Sequence, residues 1–330
     1  MDFKRKFDLR TSSLASPEPQ MLSEIASQLS PSPLRHSAVL GGGFSNTNIV
    51  LEFADGERCV LRVSPQHERL KMEADLLVFL SREAPQVPVP KVLWRTSEHQ
   101  PGGLRAFVMT YVEGEPLASV EDGLSRADCR HICEQLALAA AQIHKIRFDQ
   151  CGLLGPGPKV MEPFASYVTG TLGFFESCLD NPHLQRRVGV CRLERLRHCL
   201  THRSDLHQPS WTHQLCHSDF NQMNLLIQRG PSGRYQLAAD LDWEFAFSAS
   251  GVVDIGNLLR FEHESPAVES SWFADAYRAA GGHLDKSWRE QSLFVDLLAQ
   301  CAFLINIEEL PNTFRTAIGV IDRTLAVLDP

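Results

Sequence analysis

The chain has 330 residues, 43% hydrophobic and 22% charged, with a formal net charge of −8 and nine cysteines. Those proportions are globular and exclude a disordered, collagen-like or coiled-coil chain, while the length suits two lobes of roughly 150 residues each. The acidic balance speaks against a nucleic-acid partner held through phosphates. No run approaches the ~18 apolar residues of a membrane span, and cysteines without a C-x-x-C pair read as the reduced thiols of a cytoplasmic protein.

Residues 1–35 read as an N-terminal extension. Met1 to Arg10 carry four basic side chains with no apolar stretch behind them, so no signal peptide is expected; a short amphipathic helix follows at 19–29. From residue 36 the pattern turns to short alternating runs at 37–40, 47–53 and 58–63. They are separated by Gly41-Gly42-Gly43 and by Asp55-Gly56, a hairpin signal. Apolar positions at helical spacing predict a helix over 66–83. Pro85, Pro88 and Pro90 close it, and strands follow at 91–95 and 106–112, joined across Pro101-Gly102-Gly103. The first third is thus a β-β-β-α-β-β lobe, residues 36–112. After Glu113-Gly114-Glu115-Pro116 the chain becomes helical, with expected helices at 126–146, 163–179, 184–202, 267–280, 288–307 and 313–328. One β-like island, 213–241, interrupts them and turns at Arg229-Gly230-Pro231-Ser232-Gly233. Residues 113–330 form the second, mainly helical lobe.

Charge divides along the same line. Residues 1–112 hold 13 basic against 12 acidic side chains, net +1, and residues 113–330 hold 19 against 28, net −9. Such a split suits an anionic ligand near the first lobe and a cationic one near the second, or only a well-solvated surface.

The informative stretch is His217-Ser218-Asp219-Phe220-Asn221-Gln222-Met223-Asn224, inside the island. Asp219 and Asn224 bound a loop between two strands. A carboxylate there can orient an acceptor hydroxyl and take its proton while a side-chain amide oxygen ligates a divalent cation, the division of labour of kinase phosphoryl transfer. His, Asp and Asn are also ordinary loop residues, so this spacing alone is weak. A strand over 236–241 then leads into Asp242-Trp243-Glu244, where Asp242 can add a second hard oxygen ligand suited to Mg²⁺. Alternation along that strand places Asp240 on the face of Asp242, as extra negative charge near the metal or as a loop cap. Asp254-Ile255-Gly256-Asn257 puts an acid at a helix start, where an N-cap is the simplest role.

These three elements, in this order, resemble the aminoglycoside phosphotransferase family of protein-kinase-like small-molecule kinases, which also includes choline and homoserine kinases. Upstream, Gly41-Gly42-Gly43-Phe44-Ser45-Asn46 resembles its nucleotide loop, Val60-Leu61-Arg62-Val63 its ion-pairing strand and Met109-Thr110-Tyr111-Val112-Glu113-Gly114 its hinge. The likeness spans about residues 38–260. It implies an α+β, protein-kinase-like two-lobed fold, an antiparallel-sheet N-lobe with one helix above a mainly helical C-lobe. It implies Asp219 as catalytic carboxylate and Asn224 and Asp242 as Mg²⁺ ligands. Gly42, Gly43, Ser45 and Asn46 would lie over the phosphates, Arg62 would pair with Glu73, and the backbone of Thr110 and Val112 would meet the adenine edge. The nucleotide would be ATP, or GTP. Arg62 departs from the family pattern, where lysine is usual; its planar, always-charged fork can still bind phosphate and carboxylate.

The expected activity is transfer of the γ-phosphoryl group to a hydroxyl of a small acceptor, with no nucleic acid or membrane as partner. Acids in 251–330, among them Glu262, Glu264, Glu308 and Glu309, favour a cationic acceptor if they face the site. The alternatives are a metabolic kinase for choline, homoserine or a sugar, and a pseudokinase that binds nucleotide without turnover. Cys129, His131 and Cys133 have no second Cys/His pair nearby to complete four zinc ligands, and Cys191, His198, Cys199 and His202 are spread along an Arg-rich helix, so neither set is read as a metal site. Cys216 and His217 point to opposite strand faces, and His144, ending a long helix, is expected to pack.

Overall fold

A computed structural model describes residues 17–41, 46–96, 105–203, 206 and 209–329. Gly42, Gly43 and Ser45 of the glycine loop, and the turn expected at 101–103, lie outside the described residues. The first helix, α1 (Pro19–Leu29), falls where its pattern predicts. Strands β1 (Leu34–Leu40), β2 (Thr47–Phe53), β3 (Arg58–Val63), β4 (Val92–Arg95) and β5 (Ala106–Thr110) form one antiparallel sheet in the order β1-β2-β3-β5-β4. The β2–β3 register is set at Gly56, whose φ of 88° suits glycine, with Glu57 N–H donating to Asp55 Oδ1 at 3.0 Å.

Alternation gives this sheet two apolar faces. Ile49, Leu51 and Phe53, with Cys59, Leu61, Val63, Ala106 and Val108, pack beneath Leu22, Ile25 and Ala26 of α1. Val60, Phe107 and Met109 turn the other way, onto Leu70, Leu76, Leu77 and Leu80 of α2 (His67–Glu83). Each such side chain contributes about 1.5–3 kcal/mol relative to exposure. Arg62 shares the face of Val60 by parity, so a guanidinium sits 3% exposed between sheet and helix.

The second lobe contains helices α3 (Leu117–Val120), α4 (Arg126–Ile143), α5 (Tyr167–Asp180), α6 (Pro182–His202), α7 (Val252–Leu259), α8 (Ser270–Ala279), α9 (Trp288–Leu304) and α10 (Pro311–Leu328). Ser125, Ser166 and Asn181 cap α4, α5 and α6 through their side chains. Two small sheets complete it. Strands β6 (Glu115–Pro116), β10 (Leu225–Arg229) and β11 (Tyr235–Asp240) form one; β7 (Gly152–Gly155), β8 (Lys159–Pro163), β9 (Gln214–Cys216) and β12 (Phe247–Ala249) form the other. The β7–β8 hairpin was not expected from the sequence, and the helix expected from residue 163 begins at Tyr167, capped by Ser166, after β8 ends at Pro163. Strand β8 is mostly exposed, so it carries no apolar alternation to announce it.

One core runs through both lobes, from Phe107 and Met109 through Leu136, Phe220 and Trp243 to Ile255. A second joins α5, α6, α9 and α10 around Phe175, Phe294 and Leu325. Among the described residues no helix is long and apolar enough to cross a membrane.

Candidate active site

The loop 217–224 leaves β9 and enters β10. Ser218 has φ 73°, a left-handed conformation that a non-glycine residue keeps only when its surroundings impose it. Here Asp254 imposes it: its Oδ2 accepts from His217 N–H at 2.9 Å and its Oδ1 from Ser218 N–H at 2.8 Å. Asp254 is not the helix cap expected of it; Gly251 holds that position, and Asp254 lies in the first turn of α7, buried. Its Oδ2 is also 3.1 Å from His144 Nε2, and His144 Nδ1 lies 2.7 Å from the Tyr277 hydroxyl. His144 therefore does more than pack, since its ring joins α4 to α7 and α8.

Within the loop, the Asp219 carboxylate is held at both oxygens. Asn221 Nδ2 donates to Oδ1 at 2.6 Å, and Asn224 Nδ2 donates to Oδ2 at 2.9 Å. The residue is half-buried. Burial raises its pKa and the Asp242 charge adds to that, with His217, Arg260 and Asn224 opposing. A carboxyl held above its ordinary range is a better proton acceptor than a free one.

Asp242 reaches the same place from the end of β11. Leu241 N–H donates to Asn224 O at 2.9 Å, Asp242 itself adopts φ 69°, ψ 60°, and Trp243 N–H donates to Glu73 Oε1 at 3.2 Å. Arg62 joins the lobes: its Nε is 2.9 Å from Glu73 Oε2, and its Nη2 donates to Asp242 Oδ1. Burial pushes the Glu73 carboxyl upward and Arg62 pulls it down. The left-handed turn at Asp242 also corrects the placement of Asp240. Strand alternation stops at Asp240, which points inward, fully buried, with its carboxylate 3.1 Å from His217 Nε2.

Thr110, at the end of β5, donates its N–H to Lys91 O at 2.9 Å and accepts at Oγ1 from Lys91 N–H at 3.0 Å. Beyond it, Arg58 lies over the Tyr111 ring at 4.2 Å and pairs with Glu113, bracing the segment that contains Val112. Asn46, just ahead of β2, is buried.

The donors present fit a magnesium ion that travels with phosphates. Asn224 uses its amide nitrogen on Asp219, which leaves the amide oxygen for another contact, and Asp242 is 31% exposed at its side chain. Among the described residues no group of three or more His, Cys, Asp or Glu could hold a metal alone. That suits an ion whose remaining ligands are water and phosphate oxygens. The acids thought to favour a cation are largely paired: Glu262 with Arg289, Glu264 with His263 at 3.1 Å, and Glu309 with Arg187 at 3.0 Å. Sequence reasoning missed Asn221 and undervalued Asp254 and His144, because nothing in their local pattern shows what they touch.

Residues 37–290 match the phosphotransferase enzyme family. Among solved structures the chain is similar to a thermostable mutant of aminoglycoside phosphotransferase APH(4)-Ia, with TM-score 0.64 and 17% identity over 94% of this chain and 99% of that one. It is also similar to macrolide 2'-phosphotransferase MphH from Brachybacterium faecium, with TM-score 0.59 and 20% identity over 94% and 98%. A third is ADP-bound aminoglycoside phosphotransferase APH(2'')-Ib, with TM-score 0.62 and 14% identity over 94% and 99%. No curated protein matches the chain by sequence.

Proposed function

The chain belongs to the phosphotransferase enzyme family, and from that membership and the geometry of its site we propose which residues perform the transfer. It is an enzyme that moves the γ-phosphoryl group of a nucleotide to a small acceptor. Asp219 is the carboxylate that orients the acceptor hydroxyl and receives its proton as the new O–P bond forms and the bond to the β-phosphate oxygen breaks. Asn224, through its amide oxygen, and Asp242 hold Mg²⁺, which when bound neutralises charge on the transferring phosphoryl oxygens. Arg62, anchored on Glu73, is the cation that turns to the nucleotide phosphates. Asn46 lies over those phosphates, and the Thr110 carbonyl with the Val112 backbone meets the base. Phosphoryl transfer needs positioning and charge more than covalent help, and this site supplies both.

The observation that carries the proposal is the convergence of Asp219, Asn224 and Asp242, with Arg62 bridging Glu73 to Asp242. The acceptor carries a free hydroxyl. Aminoglycoside and macrolide acceptors are the first to test, because the similar enzymes are named for them. The internal pairing of Glu262, Glu264 and Glu309 means that acid content alone does not select a polycation.

The test is transfer from γ-labelled ATP, with GTP alongside, to a panel of aminoglycosides, macrolides, choline, homoserine and sugars, with and without Mg²⁺. Asp219→Asn serves as the blank. Transfer to one class, lost without Mg²⁺ and reduced about 10²–10⁴-fold in Asp219→Asn, is expected. Undiminished turnover in that variant would overturn the assignment of Asp219.

A further inference from the structure

Asp χ2 is a broad, roughly two-fold torsion, so the backbone and rotamer of Asp219 do not fix where its two oxygens point. Hydrogen bonds must do so, and two side-chain amides supply them. One belongs to Asn224, already given a role above. The other belongs to Asn221, which neither the sequence pattern nor the proposed chemistry singles out.

The amide orientation of Asn221 follows from its surroundings. Its Oδ1 accepts from Met223 N–H at 2.9 Å. A backbone N–H only donates, so the oxygen must face Met223 and the nitrogen must face Asp219. That nitrogen lies 2.6 Å from Asp219 Oδ1 and 3.2 Å from Asp219 O. The bond is short, as a charge-assisted one should be. The backbone around it is equally fixed: Asn221 N–H donates to Asp219 O at 2.9 Å and Asn224 N–H donates to Asn221 O at 3.0 Å. A turn at this position needs only the acceptor oxygen toward Met223, which Asp or Ser provides as well. The donor arm is what distinguishes asparagine here, and it is aimed at the carboxylate.

We propose that Asn221 is a positioning residue, which holds Asp219 Oδ1 so that the carboxylate keeps one orientation toward the acceptor hydroxyl. The inference rests on the assignment of Asp219 made above. With Oδ1 held by Asn221 and Oδ2 by Asn224, the carboxylate plane is fixed from both sides, on a loop already tied to α7 through Asp254. Loss of one amide releases rotation about χ2 while leaving the loop backbone in place.

Two variants separate positioning from turn formation. Asn221→Ser and Asn221→Asp both retain an acceptor for Met223 N–H and both lose the amide donor that reaches Asp219. A positioning role predicts a fall in kcat of about 10–100-fold in each, with melting temperatures near wild type. In the uncharged Asn221→Ser variant, KM and Kd for ATP should stay within about twofold of wild type. A purely structural role predicts near-wild-type kcat in both, and that result would overturn the inference.

A second measurement does not depend on the acceptor. In ¹⁵N-asparagine-labelled full-length protein, the Asn221 side-chain amide should be protected from solvent exchange, and the protection should fall in Asp219→Ala, where only the backbone acceptor remains. An Asn221 amide exchanging as a free one also sinks the proposal. Asp219→Asn keeps the two failures apart. If that variant turns over normally, the Asp219 assignment is wrong; if it is inactive while Asn221→Ser is unaffected, only the role of Asn221 falls.

Discussion

The loop 217–224 and the segment that carries Asp242 lie side by side, tied by Leu241 N–H to Asn224 O, yet they are held in place by different forces. The loop is fixed from within its own lobe. Asp254 accepts two of its backbone N–H groups, and Asn221 and Asn224 hold its carboxylate. Asp242 depends on the other lobe, since its side chain is met by Arg62 of β3 and the next residue donates to Glu73 of α2. The Asp219 carboxylate is therefore preorganised, whereas the Asp242 carboxylate is set by how the lobes meet. Arg62 reaches both Glu73 and Asp242 because a guanidinium has two usable edges, where an ammonium is a single point.

Breaking the anchor of the loop should have the largest effect. Asp254→Ala leaves two buried N–H groups and the His144 ring without their acceptor, at about 1–3 kcal/mol for each orphaned group. A loss of about 3–5 kcal/mol in urea denaturation and no measurable turnover are expected, with Asp254→Asn recovering part of the stability. An Asp254→Ala protein with normal stability would show that the loop is held by something else.

Breaking the link between lobes comes next. Arg62→Met leaves Glu73 buried without its cation, which typically costs about 3 kcal/mol or more, and it removes the cation proposed above to meet the nucleotide. Arg62→Lys keeps the charge but not the fork. It should restore most of the stability while nucleotide affinity, measured by calorimetry, shifts separately. Equal stability in Arg62→Met and wild type would remove the bridge from this account.

A smaller change sharpens the comparison from the side of α7. A Cβ at Gly256 would meet Ser292 O of α9 at 2.5 Å, so the close approach of the two helices needs a glycine. Gly256→Ala should cost about 1–3 kcal/mol and lower kcat by moving Asp254, with nucleotide Kd nearly unchanged. If nucleotide binding falls as steeply as kcat, the two halves are not held independently.

The smallest effect is expected far from the site. Asp329 joins the end of α10 to α6 through His198 Nδ1 at 2.7 Å and Arg195 Nε at 3.2 Å. Burial acts the other way, but these partners hold its carboxyl below the usual range. Its contribution is therefore present above the ordinary carboxylate pKa and is lost as pH falls through the lowered one. The contact is solvent-screened, so Asp329→Asn should lower the melting temperature by no more than about 2 °C at neutral pH, and the difference should vanish in acid. A persistent difference in acid would point to packing rather than charge.

Local pattern made much of this protein legible. Periodicity located α1, α2 and the five-stranded sheet, because one face of each must be apolar. The spacing of His217, Asp219, Asn224 and Asp242 marked residues that the fold brings together, because a short loop and the end of the next hairpin lie side by side. The sheet parity that buries Arg62 was equally present in the strand pattern.

Tertiary structure decided the rest. Alternation could not foresee the left-handed turn at Asp242 or the meeting of the buried Asp240 with His217. It could not foresee that Asp254 braces a loop 36 residues earlier, or that His144 meets Asp254 across 110 residues. It could not show that Glu262 and Glu309 already have arginine partners. Periodicity reports which side of an element is apolar. Which distant donor meets which acceptor depends on how whole elements pack, and that is fixed only when the chain has folded.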